Sequence, residues 1–154
     1  MSEEQKTQDE RHFQIQKIHV KDISFETPNS PEIFTIEWQP QVEIGLGTNA
    51  VQIQEATYEV SLRITVTVKV GEKTAYLVEV SQAGIFTVHG FKEDEMGHLL
   101  GSYCPNVLFP YAREVVSDLV IKGGFPPMLL TPVNFDGLYA QRLNELSAKN
   151  QTSH

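Results

Sequence analysis

The middle of the chain alternates apolar and polar residues with a period of two. From residue 58 to residue 70 every even position is apolar and every odd position is polar or charged. This pattern predicts a long β-strand with one buried face and one solvated face. Residues 71–73, Gly-Glu-Lys, predict a tight connection to a second strand.

The partner strand is expected at residues 74–88. Tyr76, Val78 and Val80 take one face of it, while Leu77 and Glu79 take the other. Gly84 in the same strand predicts a bulge or bend, because glycine inside a strand often marks one. The two segments together predict a β-hairpin.

An earlier strand changes the phase of its apolar residues twice. They stand at odd positions 13 and 15, at even positions 18 and 20, and at odd positions 23 and 25. A strand with one buried face keeps a period of two, so a phase change needs an explanation. Either bulges shift the register, or a second chain covers both faces in places, which would indicate an oligomer.

Val42, Ile44 and Leu46 predict a further strand, followed by a glycine loop at residues 45–48. The glycine spacing here matches that of a dinucleotide-binding turn. Such a turn requires a helix next, so that the helix N-terminus faces the pyrophosphate. Residues 51–60 run toward a strand instead, and an ordinary loop is the favoured interpretation.

The second half of the chain has the signals of helices. Acidic residues 93–95 favour a helix N-terminus, and a longer helix is expected to start after Pro110, since proline suits a first turn. It ends at Gly123-Gly124, and another helix begins near Asn134. The apolar stripe expected on the longer helix is Leu108, Tyr111 or Ala112, Val115, Leu119 and Lys122. The last helix repeats this pattern with Phe135, Leu138, Tyr139, Leu143 and Leu146. Strands followed by helices predict an α+β fold, a four-stranded antiparallel sheet with helices packed on one face.

Composition limits the function classes. The 154 residues suggest one domain, and the net charge of −8 argues against nucleic acid, which selects clustered Lys and Arg. The single cysteine, Cys104, fits a reducing compartment. Residues 1–11 have no apolar core of a signal peptide, and no apolar run approaches the ~20 residues of a membrane span. A cytoplasmic protein without direct membrane insertion is expected.

No catalytic or metal-binding motif stands out. His89, His98 and Cys104 fit no standard zinc spacing, and surface histidines with a buried thiol are the favoured interpretation. Ser117 and Asp118 are neighbours on a helix and face different directions, so they cannot form a triad alone. The sequence predicts no enzyme, no metal and no cofactor.

One face of the predicted sheet is acidic. Asp22, Ser24 and Glu26 share one parity, and Leu77 and Glu79 lie on the outer side of their own strand. These residues can form a patch that docks a basic, lysine-rich segment, with the leucine as an apolar anchor. An ordinary solvated sheet face is the alternative.

Six motifs resemble the SecB family of bacterial export chaperones, from Phe13 to Leu143. They are FQIQKIHVKDISFETPNSP, EWQP, TAYLVEV, GSYCPNVLFPYARE, GGFP and PVNFD. The resemblance implies a homotetramer, a dimer of dimers, that holds unfolded precursor proteins in the cytoplasm without ATP. It further implies that the chain delivers them to the motor ATPase SecA for translocation across the inner membrane.

The resemblance also implies roles for particular residues. The docking face for the SecA tail is matched by Asp22, Glu26, Leu77 and Glu79. The family's substrate groove is matched by Trp38, Val42, Ile44, Leu46 and Tyr139. Its subunit contacts are matched by Val78, Val80 and Gln82.

The expected organisation is a disordered segment at residues 1–12, one chaperone domain at 13–146 and a flexible tail at 147–154. Many family members end in an acidic tail that contacts SecA, but nothing after Glu145 is acidic here. Two other functions stay open. A SecB-like chaperone dedicated to one client, such as an antitoxin, would lose the acidic docking residues. An enzyme of a hotdog- or cystatin-like fold, such as a thioesterase, would need a catalytic carboxylate or histidine in a closed pocket.

Overall fold

The structure, a computed structural model, describes residues 10–152 of the chain. The described part begins with the strands and continues with the helices. The strands are β1 (His12–Glu26), β2 (Gln41–Gln54), β3 (Thr57–Val70) and β4 (Lys73–His89). The helices are α1 (Glu93–His98), α2 (Cys104–Lys122) and α3 (Phe135–Thr152), with a short 3-10 helix at Glu32–Thr35 and a π-helical segment at Leu99–Tyr103.

The four strands form one antiparallel sheet in the order β1-β4-β3-β2. The predicted hairpin is confirmed as β3 and β4, which turn at Gly71 with a positive φ of 62°. Helix α2 packs on one face of β3 and β4. The predicted α+β architecture, with helices on one face of a four-stranded sheet, is therefore correct.

Two bulges in β1 explain its phase changes. The register against β4 shifts between Ile15 and Lys17 and again between Val20 and Asp22. Each shift adds one residue to β1, which returns the next apolar side chain to the same face. All six apolar residues consequently pair with helix-side positions of β4: Phe13, Ile15, Ile18, Val20, Ile23 and Phe25. The bulge explanation is correct, and the phase change itself gives no evidence for a second chain.

The predicted glycine loop at residues 45–48 is wrong, because β2 continues without interruption from Gln41 to Gln54. Gly45 lies within the strand, and a Cβ there would stand 2.5 Å from the Thr65 hydroxyl oxygen of β3. The glycine reflects this close approach of a neighbouring side chain. The turn comes later, at Ala56, whose φ is 56°.

The predicted helix start after Pro110 is also wrong. Helix α2 begins at Cys104, with Pro105 in its first turn, and Pro110 lies inside it. An internal proline leaves the carbonyl four residues earlier without its helical donor. That residue is Asn106, and both Asn106 and Pro110 are exposed, so water can solvate the carbonyl. The predicted stop at Gly123-Gly124 is confirmed.

The core lies between α2 and the central strands. The fully buried stripe of α2 is Leu108, Ala112, Val116 and Val120, whereas the predicted Val115 and Leu119 are only half-buried. Gly84 of β4 was predicted to mark a bulge or bend; it pairs with Ile18 of β1, and the two bulges of β1 lie on either side of this pair. A Cβ at Gly84 would lie 2.8 Å from the Phe86 ring and 3.1 Å from Leu108, so the helix packs directly on this glycine.

Helix α3 is longer than the pattern predicted. It was expected to end near residue 146, yet it continues to Thr152 because nothing in residues 147–152 breaks a helix. Of the predicted terminal segments, residues 1–9, 153 and 154 lie outside the described residues, and His12 already belongs to β1. No helix within residues 10–152 has the length and apolar character needed to cross a membrane.

Candidate functional site

The face of the sheet opposite the helices, called here the outer face, brings the predicted docking residues together. Asp22 pairs with Ser81, Ser24 with Glu79, and Glu26 with Leu77 across β1 and β4. Directly opposed residues in an antiparallel pair share one face, with Cβ atoms about 5 Å apart. The predicted set therefore forms one patch: Asp22, Glu26, Leu77 and Glu79.

Charges on the outer face are partly neutralised by the chain itself. Arg63 of β3 forms an ion pair with Glu79, and its own side chain is largely exposed. Lys21 Nζ lies 2.6 Å from a Glu59 carboxylate oxygen, in a second ion pair on this face. Asp22 and Glu26 have no ion-pair partner among the described residues. The patch offers two unpaired carboxylates beside one that Arg63 occupies.

The helix side of the sheet has an uncovered apolar strip along β2. Val42, Ile44 and Leu46 pair with core residues of β3, yet their exposed fractions are 45%, 51% and 37%. Helix α2 covers β3 and β4 and leaves this edge open. Three neighbouring exposed apolar side chains on one face form an apolar patch of the kind that marks binding sites.

Helix α3 forms the wall of a groove beside this strip. A cavity of about 320 Å³ is lined by Leu46 of β2, Gly101 of the π-helical segment and Tyr139 of α3. A second cavity, of about 330 Å³, continues along α3 to Leu143 and Leu146. The structure thus brings Leu46 and Tyr139, which the resemblance assigns to the substrate groove, to the same cavity. The apolar stripe of α3 lines this groove, and Leu138, Leu143 and Leu146 of the stripe stay exposed, whereas Phe135 is buried. Periodicity alone does not distinguish this role from core packing.

Trp38 lies at the other end of the strip. Its ring centroid is 5.6 Å from that of Phe125, which also contacts Phe34 at 5.0 Å and Tyr76 at 4.7 Å. Tyr76 pairs with Val68, and Val68 pairs with Val42, so this aromatic cluster flanks the Val42 end of the strip. Sequence reasoning missed Phe34 and Phe125, although the GGFP motif contains the second of them.

The three residues predicted for subunit contacts lie in the core of the chain. Val78, Val80 and Gln82 are at most 2% exposed and face the helix side. The Gln82 side-chain amide donates a hydrogen bond of 3.0 Å to the His19 carbonyl oxygen. Its own side-chain oxygen is buried without a hydrogen-bond partner among the described residues. Any influence of these residues on a neighbouring subunit is indirect.

Cys104, Ser102, His98 and Asp136, the reactive side chains of the described helices, do not form a catalytic arrangement. Burial raises the pKa of the Cys104 thiol to about 12, which keeps it protonated and unreactive. Asp136 accepts hydrogen bonds from Ser102 and from His98, and these bonds lower the pKa of its carboxyl group. The serine therefore donates to the carboxylate and is not bonded to the histidine, unlike a hydrolase triad. Within residues 10–152 no three His, Cys, Asp or Glu side chains gather into a metal site.

Comparisons with known proteins agree with the motifs. A family sequence profile described as "Preprotein translocase subunit SecB" matches residues 5–146. A protein-export protein SecB of Methylococcus capsulatus is 68% identical over 143 residues, covering 93% of this chain and 92% of the relative. Those of Nitrosococcus oceani and Alkalilimnicola ehrlichii are 62% and 54% identical, covering 84% and 95% of this chain and 80% and 78% of theirs.

A solved structure has a similar fold. It is a SecB-like chaperone of Mycobacterium tuberculosis in complex with a peptide from an antitoxin, with a TM-score of 0.66. It is 16% identical and covers 79% of this chain and 90% of that chain, so the likeness concerns the fold alone. The profile match over most of the chain and the three close relatives show that this chain belongs to the SecB family.

Proposed function

We propose that this chain is an ATP-independent holdase for protein export. It binds unfolded precursor proteins in the cytoplasm and delivers them to the SecA motor ATPase. The observation that carries the proposal is the open apolar groove between β2 and α3, beside the exposed strip Val42, Ile44 and Leu46. Membership of the SecB family supports the same role.

The groove suits unfolded clients because its apolar lining does not select a particular sequence. Apolar burial is non-directional and contributes about 25 cal/mol per Å², so many different apolar segments can bind. Few polar groups in the strip require a specific partner. A single segment would bind weakly, and tight capture then depends on several grooves acting on one long chain.

A homotetramer, arranged as a dimer of dimers, would supply those grooves. It is supported by the apolar residues Ile15, Val20 and Ile23 of β1, which face the helix side yet stay exposed. A second copy that covers them would remove this apolar area from water. Val78, Val80 and Gln82 lie beside these residues on the neighbouring strand β4 and would support the interface. The assembly would carry 4 × −8 = −32 formal charges, which favours basic unfolded segments.

The outer face is the proposed docking site for a basic segment of SecA. Asp22 and Glu26 would attract lysine side chains, and Leu77 would be the apolar anchor between them and Glu79. All four docking residues are present, whereas a chaperone dedicated to one client, such as an antitoxin, would not require them.

The Arg63–Glu79 ion pair predicts a competitor built into this face. A basic segment must displace Arg63 before it reaches Glu79, so Arg63→Ala is expected to tighten the binding of a lysine-rich peptide and of SecA. Exposed ion pairs are worth about 0–1 kcal/mol, which limits the gain to about fivefold. Titration calorimetry measures it. Lys69→Ala is the control, because it removes the same charge from the same strand and face and leaves Glu79 paired with Arg63. An equal gain in affinity in Lys69→Ala would mean that net charge, and not the release of Glu79, causes the effect.

The holdase proposal is tested by comparing two forms of one precursor. The protein is mixed, without nucleotide, with a fluorescently labelled precursor that is either freshly diluted from urea or already folded. Binding of the unfolded form alone, and of several unrelated precursors, is the expected result. Binding of one precursor only would favour the dedicated-client chaperone, and binding of none would contradict the proposal.

A further inference from the structure

Helix α3 is held to the rest of the chain by its first turns. Phe135 is buried and Tyr139 is half-buried, while residues 140–150 are all exposed. The main contact of the helix is with the π-helical segment Leu99–Tyr103. The position of the groove wall therefore depends on a few contacts near residues 135–139.

The first of these contacts is a notch for Tyr139. Gly97 and Gly101 lie one turn apart, and neither has a side chain to occupy the space above it. A Cβ at Gly97 would stand 2.5 Å from the Tyr139 hydroxyl oxygen, and one at Gly101 would stand 2.7 Å from its ring. The tyrosine ring lies on bare backbone, so its seat requires both glycines.

The second contact is made by Asp136, three residues earlier on α3. One of its carboxylate oxygens lies 2.8 Å from His98 Nε2 and accepts a hydrogen bond from the Ser102 hydroxyl. Ser102 is only 2% exposed, so without Asp136 its hydroxyl would be buried without this partner. Residues 98 and 102 directly follow the notch residues 97 and 101 in the chain. The two contacts therefore lie side by side: Gly97 and Gly101 contact Tyr139, and His98 and Ser102 contact Asp136.

We propose that Asp136, through Ser102 and His98, is the positioning residue that holds α3 as the wall of the groove and Tyr139 in its seat. The Asp136 contact fixes the rotation of α3, since Asp136 and Tyr139 are one turn apart and both must fit. Loss of the Asp136 contact frees the helix and removes Tyr139 and Leu143 from the groove.

Hydrogen–deuterium exchange on the full-length protein tests the positioning directly. In Asp136→Ala the backbone amides of residues 135–147 are expected to exchange about five to ten times faster, whereas those of β3 and β4 keep their wild-type rates. Glu145→Ala is the matched control, since it removes a carboxylate from the same helix away from the π-helical segment. Wild-type exchange of α3 in Asp136→Ala would overturn the proposal.

A second variant separates this role from simple stabilisation of the helix N-terminus. Ser102→Ala lies outside α3, so faster exchange of α3 in that variant requires the contact between the two elements. The double variant is expected to exchange no faster than Asp136→Ala, because both changes remove one interaction. Unaltered α3 exchange in Ser102→Ala, or fully additive effects, would contradict the proposal.

The effect on client binding rests on the proposed holdase function, and it is measured separately as the affinity for an unfolded precursor. Both single variants are expected to bind an unfolded precursor several-fold more weakly, and Glu145→Ala is expected to bind it as the wild type does. Faster α3 exchange with unchanged client affinity would overturn the role of α3 as a groove wall. If the wild type itself binds no unfolded precursor, the holdase proposal fails while the exchange result still decides how α3 is positioned.

Discussion

Replacing Val42, Ile44 and Leu46 together by serine is expected to abolish most client binding. Full burial of one such side chain is worth about 1.5–3 kcal/mol, and these three are already half-covered in the free chain. Their combined loss is about 2–4 kcal/mol, a fall in client affinity of about thirtyfold or more. The binding of unfolded precursor measures it.

The fold of this triple variant should persist, because all three side chains are substantially exposed in the isolated chain. Val51→Ser with Ile53→Ser is the matched control, since these residues are exposed apolar positions near the end of the same strand and outside both groove cavities. The control is expected to bind clients normally. Wild-type affinity in a folded triple variant would contradict the assignment of the groove.

The second large effect is expected at Leu108→Ala, in the layer between α2 and the sheet. Leu108 is fully buried and lies against Gly84 of β4. Truncation of a buried leucine costs about 2–5 kcal/mol, the sum of lost transfer energy and the cavity left behind. The chain has the size of an ordinary domain, and the free energy of unfolding of such a domain is about 5–15 kcal/mol. The expected loss is a large share of it. Chemical denaturation measures the change.

Leu129→Ala is the control for that measurement. Leu129 is 75% exposed in the loop after α2, so its truncation should change the free energy of unfolding by less than about 0.5 kcal/mol. A Leu108→Ala variant as stable as Leu129→Ala would mean that the layer between α2 and the sheet relaxes to fill the cavity. The packing described for Gly84 would then be wrong.

The sheet could be predicted from the sequence because a period of two specifies both the strand and its faces. The alternation at residues 58–70 located β3. Odd and even numbering alone placed Leu77 and Glu79 on one face of β4 and Val78 and Val80 on the other. The cross-strand partners of these residues in β1 could not be placed by parity, since two bulges shift its register. The structure resolves the phase change in favour of bulges, with every apolar side chain on the helix side.

The groove was harder to predict because its parts come from distant elements. Glycine and proline were interpreted as breaks, yet Gly45 lies inside β2 and Pro110 inside α2. Gly97 and Gly101 were not singled out at all, and their importance depends on Tyr139, about forty residues away. Leu46 and Tyr139 were assigned to the groove only through the resemblance to the family, whereas the contact of Asp136 with Ser102 and His98 required coordinates.

The refolding rate of a slow-folding precursor shows whether the chain is a holdase. The precursor is diluted from denaturant into increasing concentrations of the protein, with no nucleotide present. The holdase account predicts that refolding slows and then stops as the concentration of assembled chaperone approaches that of the precursor. An unaltered refolding rate, in the presence of correctly folded protein at equal or greater concentration, would contradict it.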